Sequence, residues 1–217
     1  MRSFRSPILG LALLSALPTI GSAQAGRLFN DSWFWGAKTG VMSYSTRAVE
    51  NAVAPLFGGE WLITRTRGAL YVAYDQTLFN NDAAVDDALS PGGQRLVAID
   101  DMRRLTFAGL AFPKEWMGVR PYAGVGMALN FIQEATPRGT FESAAQQNDI
   151  VATVEDRRTR ASILVMGGVQ AQYSRWSVFG QATMMPAHAT FLIDGRSTYF
   201  LEGGIRYNIG TSIERIR

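Results

Sequence analysis

The sequence predicts an all-β chain: a transmembrane antiparallel up-and-down β-barrel of eight strands, preceded by a cleaved N-terminal signal peptide. Three observations predict it. Eight segments alternate residue by residue between an apolar face and a face of small, polar or charged residues, the period of a strand with different surroundings on its two sides. The connections between these segments alternate long and short, as in barrels with long loops on one side of a membrane and tight turns on the other. An export signal precedes the first segment.

That signal is read from residues 1–25. Arg2 and Arg5 form a basic start, residues 7–20 (PILGLALLSALPTI) an apolar run, and Ala23-Gln24-Ala25 a small-x-small cleavage site. The barrel domain is then residues 26–217. Cleavage removes two of 21 basic residues and none of the 18 acidic ones, so the exported chain is nearly neutral. Its charge gives no reason to expect a nucleic-acid partner. With no Cys, disulfides, thiolate catalysis and thiolate metal sites are excluded. No exported stretch approaches the roughly 20 apolar residues of a spanning helix, so a membrane must be crossed by strands.

Strand one is residues 33–44, with Trp33, Trp35, Ala37, Thr39 and Val41 on one face and Phe34, Gly36, Lys38, Gly40 and Met42 on the other. Its Trp33-Phe34-Trp35 start suits a membrane–water interface. A polar connection (45–55) leads to strand two (56–64), a tight turn at 66–68 and strand three (69–79). Residues 80–94 read as a long acidic loop rich in Asn, Asp, Pro and Gly. Strand four (96–112) has Leu105 and Phe107 on one face but Leu110 and Phe112 on the other, which predicts a bulge near Ala108-Gly109. After a turn at 113–118, strand five (119–133) alternates Pro121, Ala123, Val125, Met127, Leu129 and Phe131 with Tyr122, Gly124, Gly126, Ala128 and Asn130. Small residues at every second position suit a narrow lumen. Residues 134–158 are the longest loop. Strand six (159–173), a turn at 174–175, strand seven (176–185, ended by Pro186) and a loop at 187–197 lead to strand eight.

Strand eight, residues 199–209 (YFLEGGIRYNI), sets Tyr199, Leu201, Gly203, Ile205, Tyr207 and Ile209 against Phe200, Glu202, Gly204, Arg206 and Asn208. It is expected to close the barrel against strand one, since a spanning sheet tolerates no free edge. Glu202 and Arg206 share a face but lie about 13 Å apart along it. They are expected to pair with lumen groups on other strands, among them Lys38, Asp75, Arg104 and Gln181, in a polar network that fills the barrel.

The whole exported chain resembles the small eight-stranded outer-membrane β-barrels of Gram-negative-type bacteria. The resemblance is most specific in the last strand, where Gly204-Ile205-Arg206-Tyr207-Asn208-Ile209 matches the family's assembly signal of glycine, two residues, aromatic, one residue, hydrophobic; Gly204, Tyr207 and Ile209 carry it. Arg120-Pro121-Tyr122-Ala123-Gly124-Val125-Gly126 looks like a recurring strand start of the family. The chain departs from the pattern by continuing through residues 211–217. The resemblance implies the cell outer membrane, contact with its lipid and lipopolysaccharide, insertion by the barrel-assembly machinery and a monomeric state. No cofactor, metal or trailing peptidoglycan-binding domain is expected.

Two alternatives to a structural or surface-interacting barrel follow from particular residues. A lumen lined by charge can form a narrow channel, although eight strands leave room mainly for side chains. His188, the one histidine, with Thr190 and Glu202, resembles the site of lipid A 3-O-deacylase barrels, which place a His-x-Ser pair before the last strand and a Glu on it. Thr190 replaces that serine, Phe191 replaces the asparagine that follows, and Glu202 belongs to the lumen face. The expectation is a non-enzyme. Asp82, Asp86 and Asp87 lack the ligand spacing of a calcium loop. Arg47, Arg95, Arg138, Arg157, Arg158 and Arg196 fall in or near the long loops, where guanidinium groups suit lipopolysaccharide phosphate.

Overall fold

The computed structural model describes residues 29–212. The signal segment and residues 213–217 of the tail lie outside them. Eight strands form a closed antiparallel barrel in sequence order: β1 (Ser32–Tyr44), β2 (Ala52–Thr64), β3 (Gly68–Asp86), β4 (Gln94–Ala111), β5 (Val119–Pro137), β6 (Thr159–Tyr173), β7 (Trp176–Met185) and β8 (Thr198–Thr211). The barrel closes through β1 and β8, from Ser43↔Tyr199 to Ser32↔Thr211. Among the described residues no helix is long and apolar enough to cross a membrane.

The alternation of residues in each strand becomes an inside and an outside. On β8, Leu201 is 64% exposed while its neighbour Glu202 is 3% exposed and Arg206 wholly buried. Val125, Ile163, Val169 and Val178 on other strands also point outward, exposed and apolar. In water such a surface would be an aggregation hazard. In lipid it is the required surface, and pairing of β1 with β8 closes the sheet on itself. Aromatic rings mark the short-turn edge of this belt: Trp33 and Trp35 pack on Trp61 at 5.1 and 5.8 Å, and Trp176 on Tyr207 at 4.7 Å. Phe57, Phe131 and Tyr199 are exposed toward the other edge, completing the two girdles of a membrane barrel.

Three sequence expectations are corrected. The acidic stretch 80–94 is mostly strand: β3 and β4 rise together as a tall hairpin, from Asn80↔Asp100 to Asp86↔Gln94, leaving only residues 87–93 as the loop. Asn and Asp marked it as irregular, but its buried Ala83, Val85, Val97 and Ile99 hold it in a shared apolar layer. β4 has no register change at Ala108-Gly109. It has one at Asp101, which takes φ 50° opposite two residues of β3, Leu78 and Phe79. The Asp101 carboxylate accepts the Phe79 N–H at 3.1 Å, which satisfies the donor freed by the bulge. Leu110 and Phe112 stay in phase. They are inward and apolar because the short-turn end of the lumen is apolar. β2 starts at Ala52, with Pro55 inside it, opposite Val41 on β1 and beyond the first β2–β3 pair, Leu56↔Thr77. Proline is tolerated on such an edge.

The longest connection contains a helix, α1 (Ala144–Arg157). The Ser143 hydroxyl caps it by accepting the Gln146 N–H at 3.2 Å. Gln146, Ile150 and Val154, spaced by four, form its buried face. Ile150 and Val154 join Phe191, Leu192 and Ile193 of the β7–β8 connection and the tall hairpin in the apolar layer above the barrel.

Candidate functional site

The lumen is filled in three layers. At the short-turn end Phe29 turns inward and packs on Phe112 at 4.8 Å and Phe34 at 6.1 Å, while Tyr122 packs on Phe112 at 5.3 Å. The Arg120 guanidinium covers the Phe29 ring at 4.2 Å and donates to Glu115. At the opposite end Met42, Met102, Ile132, Met185 and Phe200 are buried beneath the apolar layer.

Charge occupies the middle layer. Lys38 Nζ meets Asp75 at 2.9 Å and Glu202 at 2.8 Å. Arg104 Nη2 reaches the same two carboxylates, at 2.7 Å each. Two cations and two anions therefore form a square from β1, β3, β4 and β8. Arg206 makes a second cluster with Glu60 through Nε and with Gln170 Oε1 through Nη1. Tyr71 joins the clusters: its hydroxyl donates to Glu60 at 3.0 Å and accepts from Lys38 at 2.9 Å and from Gln181 at 3.1 Å. Gln181 also donates to Glu202 at 2.9 Å and accepts from Tyr122 at 2.9 Å. The faces of the two guanidinium groups lie on aromatic rings, Arg104 at 3.6 Å from Phe200 and Arg206 at 3.8 Å from Phe179. Lys38, Arg104 and Arg206 balance Asp75, Glu202 and Glu60, so this layer is electroneutral. The space between Lys38, Arg104, Gln181 and Glu202 is too small for a water molecule.

All six lumen residues named from the sequence lie in this layer. Glu202 and Arg206 do not touch, and each finds partners on other strands. The layer also takes in Glu60, Tyr71 and Gln170, which the sequence reading did not assign to the network. The spacing Leu56-Gly58-Glu60-Leu62-Thr64 contains the signal for Glu60, because Leu56, Leu62 and Thr64 are all inward and buried.

The assembly-signal residues divide by face. Gly204 is inward, where a Cβ would stand 2.2 Å from the Ala37 carbonyl oxygen. Tyr207 and Ile209 face outward. The residues of the enzyme alternative are also separated. His188 and Thr190 lie in the β7–β8 connection, with Thr190 Oγ1 3.1 Å from His188 Nδ1 and Arg160 Nη2 2.7 Å from His188 Nε2. Glu202 contacts Lys38, Arg104 and Gln181 in the lumen and neither of those two residues.

Above the barrel the long connections are joined to one another. Arg47 holds Asp194 at 2.7 Å and Asp86 at 3.0 Å. Arg95 holds Asp87 at 2.7 Å, which also accepts from Gln146 of α1. Arg138 pairs with Asp82, Arg158 with Glu155, Arg157 with Asp86 and Arg196 with Glu50. All six loop arginines face carboxylates of the chain, and Asp82, Asp86 and Asp87 each face an arginine instead of forming a cation cage. Burial raises the Asp87 carboxyl, but the Arg95 and Gln146 hydrogen bonds outweigh it and leave the group below its usual range. Burial raises the Asp194 carboxyl above its usual range despite the opposing Arg47. Hydrogen bonding to Asp86 raises Arg47 further.

No protein-family model matches the chain, and no curated protein matches its sequence. Solved structures do match its fold. Neisserial surface protein A is 10% identical with a TM-score of 0.55, over 82% of this chain and 97% of that one. The outer membrane protein OprG from Pseudomonas aeruginosa is 8% identical with a TM-score of 0.50, over 85% and 99%. The chain has the fold of the small eight-stranded outer-membrane β-barrels.

Proposed function

We propose that the protein is an integral outer-membrane barrel with a structural or surface-interacting role, in which the barrel is a closed anchor and the joined long connections are the exposed working surface. The observation that carries this reading is the charge-balanced middle layer of the lumen, where every buried charge has an opposite charge within contact. Three basic and three acidic side chains pair across the lumen where a solute would pass, with apolar layers above and below. A buried ion cluster of this kind resists opening, because parting one pair leaves uncompensated charges in a low-dielectric interior. A channel would have to part these charge pairs to open a path, and the deacylase reading lacks contact between Glu202 and His188.

In this reading the long connections face outside and the short turns face the periplasm. The surrounding lipid and lipopolysaccharide are the partners of the outer face, the barrel-assembly machinery reads β8, and the barrel is monomeric. The arginines of the long connections first hold the loops together, with lipopolysaccharide phosphate as a secondary contact. Planar-bilayer recording of the refolded protein at neutral pH tests the closed anchor. The expected outcome is no resolvable conductance step. Regular steps in wild type that disappear in a lumen-filling variant such as Thr183→Trp would replace the anchor with a channel.

A further inference from the structure

β7 ends early. It pairs with β6 only from Val165↔Met184 onward, so residues 159–164 of β6 border the β7–β8 connection instead. The Leu192 N–H donates to the Arg157 carbonyl at 3.2 Å, which holds that connection along the start of β6. Arg160 has the inward phase of Ser162, Leu164 and Met166 and stands opposite the buried Asn130, whose amide donates to the Arg160 carbonyl at 3.3 Å. Its guanidinium therefore belongs to the mouth of the lumen and not to the lipid-facing wall.

Among the described residues Arg160 is the arginine that is neither exposed nor ion-paired. Arg67, Arg103 and Arg175 also lack a carboxylate partner, but they are exposed. The Arg160 Nη2 donates to the His188 Nε2 at 2.7 Å, and its Nε–H is buried without a partner. A guanidinium can only donate, so Nε2 carries no hydrogen, and the hydrogen on Nδ1 is donated to Thr190 Oγ1 at 3.1 Å. Arg160 thus faces a neutral ring, and Thr190, which is exposed, opens the cluster to solvent. The charged groups on the elements around His188 are Arg160 on β6, Glu134 on β5, Glu155, Asp156, Arg157 and Arg158 at the end of α1, and Asp194 and Arg196 on its own connection. Arg158 holds Glu155 and Arg47 holds Asp194, and Arg160 is the one hydrogen-bonded to the ring.

We propose that Arg160 and His188 form a site for a water-borne oxyanion of the phosphate or sulfate class, bound together with one proton. The anion enters between the two side chains and accepts from the guanidinium fork. It also accepts from Nε2, once the ring has taken a proton from solvent. A half-buried cation without a carboxylate supplies the attraction, and protonation turns the ring from an acceptor that Arg160 occupies into a second charged donor. Thr190 accepts from Nδ1–H in both states, so it is a positioning residue that keeps Nε2 turned toward Arg160. The inward phase of Arg160 favours an anion from water over a lipid headgroup in the wall.

His188 is the one histidine of the chain, so its imidazole Cε1–H gives a single NMR signal from the folded barrel in maltoside micelles, which carry no phosphate. Sulfate is the probe, because its charge stays constant across the neutral range. It is expected to move the signal saturably and to bind more tightly at about pH 6 than at about pH 8, by up to about tenfold per pH unit, the limit for uptake of one proton. R160Q is expected to bind sulfate about tenfold more weakly, the loss of one charged hydrogen bond, and R160K, which keeps the charge without the fork, to fall between it and wild type. H188Q, followed by calorimetry in the same micelles, is expected to bind with an affinity independent of pH. Phosphatidic acid added to the micelles is expected to leave the His188 signal in place. A shift that never saturates, equal wild-type affinities at the two pH values, an R160Q affinity equal to wild type, or a shift with phosphatidic acid and none with sulfate would each overturn the site.

Discussion

Glu60→Ala is expected to cost about 3–5 kcal/mol of unfolding free energy, the penalty for removing one partner of a buried ion pair. Arg206 is wholly buried, and without Glu60 its remaining polar partners, Gln170 and Tyr122, carry no negative charge. Glu60→Ala also removes the acceptor of the Tyr71 hydroxyl, which then has no carboxylate to orient it between the two clusters. Arg206→Met is expected to cost a similar amount by leaving Glu60 as the uncompensated charge. The double variant Glu60→Leu/Arg206→Met carries the stronger test. Replacing both partners by apolar groups of similar volume is neutral or stabilising by about 1–4 kcal/mol in comparable buried pairs, so it is expected to recover most of either single loss. Reversible urea unfolding in lipid vesicles, followed by tryptophan fluorescence, measures all three. Costs below about 1 kcal/mol for both single variants, the level of a solvent-exposed pair, would mean a wet lumen and would remove the closed anchor.

Gly204→Ala is expected to block barrel closure even without assembly factors. The added methyl would stand 2.2 Å from the Ala37 carbonyl oxygen and 2.9 Å from Lys38 Cα. Both are backbone atoms of β1, so the clash can be relieved only by moving the strand that closes the barrel. The cost is therefore expected to exceed the roughly 1–3 kcal/mol of ordinary overpacking, and unaided refolding into vesicles, read as the compact band on unboiled gels, falls accordingly. Tyr207→Leu provides the contrast. Tyr207 faces outward and packs on Trp176, so unaided refolding stays close to wild type while machinery-dependent insertion in cells declines. If Gly204→Ala refolds normally in vesicles but fails in cells, the glycine is read by the machinery and the geometric account of it is wrong.

Much of the barrel was legible because its two faces differ so sharply. Once one face of YFLEGGIRYNI is assigned to lipid, Glu202 and Arg206 must lie inside, and the same phase on other strands gathers Lys38, Asp75, Arg104 and Gln181. Which charge meets which was not legible. That depends on registers such as Gly40↔Glu202 and Asp75↔Arg104, and these follow from strand tilt and from the bulge at Asp101, whose displacement the sequence pattern placed at the wrong turn of the chain. Glu60 was missed although the alternation around it is regular, because Pro55, Gly58 and Gly59 weaken the strand signal of β2. Above the membrane, composition misled. Asn80-Asn81-Asp82 reads as loop, yet tertiary burial of Ala83, Val85, Val97 and Ile99 extends the hairpin. The cap and spacing of α1, Ser143 followed by Gln146, Ile150 and Val154, were present in the sequence but lay in a stretch read only as polar.

Relative to a water-soluble barrel this chain is turned inside out, with charge within and apolar residues without. Cell fractionation combined with gel mobility before and after boiling tests it most directly. The protein is expected to stay in the outer-membrane fraction, to be released only by detergent, and to run faster unboiled than boiled. Recovery from the periplasm without detergent, with no shift on boiling, would contradict it.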